Sequence, residues 1–207
     1  MGIKKIVITM VLLLTAAVVY AEQPEVKGVF QKVTGKDFHF DGKEVEITEF
    51  LSFYCGHCYH FEQSIPVIKG NFPKKIKWKV IPIYWGNGSP KPGEAYLIAL
   101  DEGKGEEMKK ALFHAIFEEK RDIGNIDVLE DIGVKAGLGF EFSRRLRAGD
   151  KSREVGEAIL KTQTYDIKET PTLIIAGNLE VSPSMFHGDV NAMGENVIMM
   201  LKSLFNK

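Results

Sequence analysis

Between Val45 and Glu49 apolar and polar residues alternate, and the run then turns almost wholly apolar up to Tyr54 (VEITEFLSFY). A strand covered on both faces of a sheet carries that pattern, because neither face meets water. Glu49 is the misfit in the run. It reads either as a surface carboxylate on an edge or as a partly buried one whose own pKa is raised. Ile76 to Ile83 (IKWKVIPI) alternates and predicts a second strand. Between the two, residues from Cys55 to about Gly70 predict a helix with Phe61, Ile65 and Ile68 on one face. Pro66 lies inside it, removes an amide donor and is expected to kink it. Strand, helix, strand of this length predicts a parallel pair with a right-handed crossover.

Past the loop YWGNGSPK (84–91) the period becomes helical, with glycine breaks. Helices are expected over Glu94–Asp101, Glu106–Lys120, Asp127–Ala136, Phe140–Ala148 and Ser152–Tyr165. Phe113, Ile116 and Phe117, with Leu129 and Ile132, read as the core of this helical region, and Arg144, Arg145 and Arg147 as a solvated face. Strand character returns at Thr172–Ala176 (TLIIA), turns at Gly177-Asn178 and runs back through Leu179–Ser182, a hairpin signal. Asp189 to Phe205 closes the chain as an amphipathic helix with Val197, Met200, Leu201 and Leu204 inward. From Glu22 to Lys43 the chain is polar and turn-rich, with Val29-Phe30 and Phe38–Phe40 as short strands.

The N-terminus changes the picture of where the chain works. Lys4 and Lys5, an apolar stretch from Ile6 to Val19, and Val19-Tyr20-Ala21 form the pattern of a secretory leader cleaved after Ala21. That stretch is shorter than the ~20 residues a spanning helix needs. The chain of 207 residues is 44% apolar, enough for one sizeable core, and its formal net charge of −1 gives no footprint for nucleic acid.

Both cysteines of the sequence stand three apart, Cys55 and Cys58, where the first strand meets the helix. An exported chain with just this pair is not a disulfide-stapled scaffold, so the thiols are placed for work. At a helix start the first sulfur meets the positive end of the dipole, which favours the reactive thiolate. His57 stands beside it as a possible donor. Zinc is a weaker reading, since no second cysteine pair exists and Cys55, His57, Cys58 and His60 do not share one helix face. Covalent haem would need His directly after Cys58, where Tyr59 stands. A purely structural ring this short would remove little loop entropy. No cofactor and no metal are expected. Glu49, six residues before Cys55, is a candidate to handle protons for Cys58. A Cys-x-x-Cys opening the helix of a strand, helix, strand unit is the redox signature of the thioredoxin fold.

The run FLSFYCGHCYHFE, the helical insertion and the step Thr170-Pro171-Thr172 into a strand together resemble the DsbA family of exported thiol-disulfide oxidoreductases. The likeness spans nearly all of the chain after the leader. It implies an α/β thioredoxin fold over 22–90 and 166–207, with a helical domain over 91–165 inserted between a strand-helix-strand half and a strand-strand-helix half. It implies Cys55 as nucleophile, Cys58 as its buried partner, His57 as the dipeptide histidine, Pro171 as a cis-proline preceded by Thr170, and Glu49 and Glu62 as acidic neighbours. It further implies a periplasmic oxidase acting on the thiols of exported proteins and reoxidised by a quinone-linked membrane protein of the DsbB type. Gly56-His57 resembles the dipeptide of eukaryotic disulfide isomerases, and Thr170 the residue before the cis-proline in bacterial ones, which keeps isomerase or reductase work as the alternative.

Overall fold

The computed structural model describes residues 25–86 and 88–205. The leader expected at 1–21, with its cleavage point, lies outside the described residues. No described helix is long and apolar enough to cross a membrane.

Five strands form one sheet in the order β1-β5-β4-β2-β3: β1 (Gln31–Lys32), β2 (Val45–Leu51), β3 (Ile76–Pro82), β4 (Thr172–Ile175) and β5 (Leu179–Val181). β2 and β3 are parallel, from Val45 opposite Ile76 to Leu51 opposite Pro82, as the crossover pattern requires. β4 runs antiparallel to both β2 and β5. Its TLII run is buried throughout because β4 lies inside the sheet. Leu173 and Ile175 face one core cluster with Phe61, Ile65 and Ile68, and Ile174 faces the opposite one with Phe50 and Ala158. The expected strands at Val29-Phe30 and Phe38–Phe40 are absent. Gln31–Lys32 pairs with β5 instead, and Phe30, Phe38 and Phe40 pack as side chains against the core.

The helix after Cys55 is broken rather than kinked, into α1 (Gly56–Phe61) and α2 (Ser64–Asn71). Pro66 has no amide to offer the carbonyl of Glu62, four residues earlier, and α1 ends there. Between β3 and β4 come α3 (Lys91–Asp101), α4 (Gly105–Phe117), α5 (Ile126–Lys135), α6 (Phe140–Ala148) and α7 (Ser152–Thr164). Phe113, Leu129 and Ile132 share a buried cluster with Met108, Phe142 and Leu146, while Ile116 and Phe117 are only partly buried. α7 also covers the sheet, through Ala158 against Phe50 and Ile174. Arg144 and Arg147 lie on the solvated face expected of them, with side chains more than half exposed, while Arg145 is 17% exposed. Arg145 Nη2 lies 2.7 Å from both Asp101 and Asp150, and Arg147 Nη2 reaches Asp127 at 2.8 Å and Glu130 at 2.5 Å, so they fasten α6 to α3 and α5. α8 (Val190–Leu204) is capped by Asp189, whose carboxylate accepts the amides of Asn191 and Ala192, and it buries Val197, Met200, Leu201 and Leu204.

Candidate active site

Strand register builds the site. Phe50 on β2 faces Thr172 on β4, so the residues following β2 and those preceding β4 leave the sheet at the same end. Cys55 is the N-cap of α1, with φ −97° and ψ 118°, and its sulfur accepts the Cys58 amide at 3.4 Å. Its thiol donates to the Thr170 carbonyl at 3.1 Å across 115 positions of sequence. The Thr170-Pro171 peptide bond is cis. Cys55, Cys58, Thr170 and Pro171 therefore belong to one constellation. Both cysteines are free thiols; Cys55 is half-buried and Cys58 buried. His57 is exposed and faces Gly188, where a β-carbon would sit 3.7 Å from Nε2.

The two sulfurs are driven apart electrostatically. The Cys58 thiol, the Thr170 side chain and the backbone amides of Cys58 and His57 stabilise charge on the Cys55 sulfur and, against its partial burial, bring its pKa from 9.0 to about 6. Burial pushes Cys58 well above 9.0, and the Cys55 and Glu49 charges push the same way. Such a pair offers one partly exposed thiolate near neutral pH and keeps the inner sulfur protonated.

Glu49 is fully buried, which removes the surface-edge reading: β2 is an interior strand, and Glu49 shares the face of Val45, Ile47 and Leu51. Burial raises its pKa to about 7 against the opposing charge of Lys109. Trp78 Nε1 donates to Oε2 at 2.8 Å, while Oε1 has no hydrogen-bond partner among the described residues. Burial likewise raises Glu62, opposed by Lys109, whose Nζ lies 3.0 Å away.

Sequence reasoning missed Lys109. Its signal was helical phase, since it stands three and four residues before the buried Leu112 and Phe113 on the inward stripe of α4. It also missed how far the inserted helices reach. Tyr59 stacks on Phe117 with centroids 4.9 Å apart and donates its hydroxyl to Glu118, so the end of α4 walls one side of the cysteine loop. Among the described residues no cluster of three or more His, Cys, Asp or Glu side chains is disposed to hold a metal ion. A groove of about 620 Å³ beside β3 and α7 is lined by none of the expected site residues.

A helix-capping thiolate, a buried second thiol and a cis-proline loop on a thioredoxin-type sheet define a thiol-disulfide oxidoreductase. The model of the DSBA-like thioredoxin domain matches residues 46–194. The chain belongs to this DsbA-like family. The thiol:disulfide interchange protein DsbA of Haemophilus influenzae is 24% identical over 152 residues, which cover 71% of this chain and 73% of that one. Among solved structures, SrgA of Salmonella enterica serovar Typhimurium is similar with a TM-score of 0.68 at 20% identity, covering 86% of this chain and 99% of that chain. A DsbA variant of Proteus mirabilis, solved with a non-covalently bound peptide, gives 0.67 at 18% identity, covering 88% and 98%.

Proposed function

We propose that the chain is a periplasmic oxidase that introduces disulfide bonds into exported proteins. A substrate thiolate attacks the Cys55 sulfur of the Cys55–Cys58 disulfide, and Cys58 leaves and takes up a proton. A second substrate thiolate then attacks the substrate sulfur of the mixed disulfide, and Cys55 departs as the thiolate. Pro171 has no amide of its own, and beside it the Thr170 backbone, whose carbonyl accepts only while Cys55 is a thiol, can pair with an extended substrate. The peptide bound to the Proteus mirabilis relative supports unfolded segments as substrates. His57 sits at the mouth of the site, and Glu49 serves Cys58. A DsbB-like quinone-linked membrane protein would restore the disulfide.

The observation that carries this reading is the separation of the two sulfurs, one held at about 6 and the other pushed well above 9.0. A stabilised thiolate stabilises the reduced form, which makes the disulfide oxidising. Isomerase or reductase work is the second reading, favoured by Gly56 and by Thr170 beside Cys55. Equilibration against glutathione separates them. The oxidase reading expects a potential near −120 mV, an isomerase lies near −180 mV, and a value near thioredoxin's −270 mV would overturn the proposal.

A further inference from the structure

Lys109 is the one basic side chain in the buried core among the described residues, with no exposed side-chain surface. It comes from α4, outside the strands and helices that carry the cysteines. Its Nζ lies 3.0 Å from Glu62 Oε1 and 3.6 Å from Glu106 Oε2, yet neither Nζ nor Glu62 Oε1 makes a directed hydrogen bond among the described residues. Glu49 Oε1 is unpartnered too. The buried ammonium thus pairs with the partly buried Glu62 and with Glu106 at the surface, and its charge also acts on the fully buried Glu49; a buried charge is tolerated only when paired.

The groups around this cluster are few. Cys58 feels the charge of Glu49 from α1, and Trp78 on β3 donates to Glu49. Tyr96 on α3 is kept neutral by burial and by the charges of Glu106, Glu49 and Glu62. Lys69 on α2 lies 3.7 Å from Glu106, which is 57% exposed and marks the solvent end. Burial pulls the ammonium of Lys109 down, and Glu49, Glu62 and Glu106 together more than restore it, so it stays charged.

We infer that Lys109 is a positioning residue for the buried half of the exchange: it holds Glu49 and Glu62 near one shared negative charge, leaving Glu49 free to trade a proton with Cys58. When substrate displaces Cys58, the sulfur leaves with its electron pair into a dry pocket, and the Glu49 carboxyl passes it a proton, becoming a carboxylate that Lys109 holds. On reoxidation the carboxylate takes the proton back as the Cys58 sulfur attacks Cys55 in the mixed disulfide. The inserted helices are in this way part of the chemistry. This inference rests on the exchange reading above.

The test traps Cys55 as a mixed disulfide with glutathione and follows glutathione release by Cys58 against pH. Lys109→Met should move the midpoint of release upward by about one pH unit, roughly tenfold slower at neutral pH, because Glu49 resists ionisation without its countercharge. Glu62→Gln should move it downward, since the whole ammonium then faces Glu49. The Cys55 thiolate midpoint should stay near 6 in both. Midpoints that do not move, or that move together while the variants remain folded, would overturn the inference. Should Lys109→Met not fold, Glu62→Gln decides alone: a downward shift supports the role and none refutes it. Failure of the exchange reading looks different, because the unsubstituted protein would then release no glutathione, and the role of Lys109 would fall with it.

Discussion

Thr170→Val tests the join between the cysteine loop and the cis-proline loop. Thr170 is buried, and valine keeps its branching and volume while removing the hydroxyl that helps stabilise the Cys55 thiolate. The backbone carbonyl that accepts the Cys55 thiol stays in place. A hydrogen bond to a charged group contributes about 1.5–3 kcal/mol. Cys55 is half-exposed, so water replaces part of what is lost, and about 1 kcal/mol is expected to remain. At 1.36 kcal/mol per pKa unit, that raises the Cys55 pKa by roughly 0.7. The same energy makes the disulfide roughly 20 mV less oxidising, since 30 mV corresponds to about 1.4 kcal/mol for two electrons. Ultraviolet thiolate absorbance across pH reads the first quantity, because Cys58 titrates far higher, and glutathione equilibration reads the second. A folded Thr170→Val protein whose midpoint moves by less than about 0.2 unit would show that this hydroxyl does not stabilise the thiolate.

Two further predictions concern stability. The Cys55 pKa is depressed on folding, from 9.0 to about 6, so its contribution is complete only above 9.0 and is lost as pH falls through 6. For the reduced protein this amounts to about 1 kcal/mol at pH 7, discounted for partial exposure. Denaturant midpoints of reduced and oxidised protein, compared from pH 8 down to 5, should therefore converge or cross. Glu49, raised to about 7, acts in the opposite sense, and the comparison of the two forms retains only the part of its effect that changes with the redox state of Cys58. An oxidised form clearly more stable at every pH would mark the disulfide as structural. Gly133→Ala places a β-carbon 2.4 Å from Cε1 of Phe142, a ring buried in the cluster of Leu129 and Ile132. Overpacking there should cost about 1–3 kcal/mol in chemical denaturation, and an unchanged midpoint would refute the close packing of α5 on α6.

Much of the fold was legible in local pattern. The element order and most boundaries followed from a period of two giving way to one near 3.6, and the hairpin at Gly177-Asn178 was legible from its turn signal, whereas the interior place of the TLII strand was not. Glu49 was ambiguous only until its phase was weighed: Val45, Ile47 and Leu51 share its parity, which puts position 49 inward whatever its charge. The same oversight hid Lys109. Hydrophobicity alone calls a lysine solvated, whereas its place on the stripe of Leu112 and Phe113 says otherwise. The exposure of Arg144 and Arg147 was legible, but the pairing of Arg145 and Arg147 was not, since their partners Asp101, Asp127 and Glu130 lie on other helices that no local pattern connects. Thr170 beside Cys55 was legible only through family likeness, because nothing local across a sequence separation of 115 encodes the meeting of the two loops.

The four backbone pairs from Ile47–Ile175 to Phe50–Thr172 work as a ruler. Whatever lies between β3 and β4, the distance from Cys55 to Thr170 is counted along those pairs and not along the helices. Adding or removing residues at the solvent turn around Gly149 leaves the count untouched. One residue deleted between Pro171 and Gly177 shifts it by a full step of roughly 3.3 Å and turns every β4 side chain to the opposite face. Descendants of this chain are thus free to change length at the solvent turns of the inserted region so long as α4 and α7 keep their places, while the short strand after Pro171 admits substitutions but no change in length.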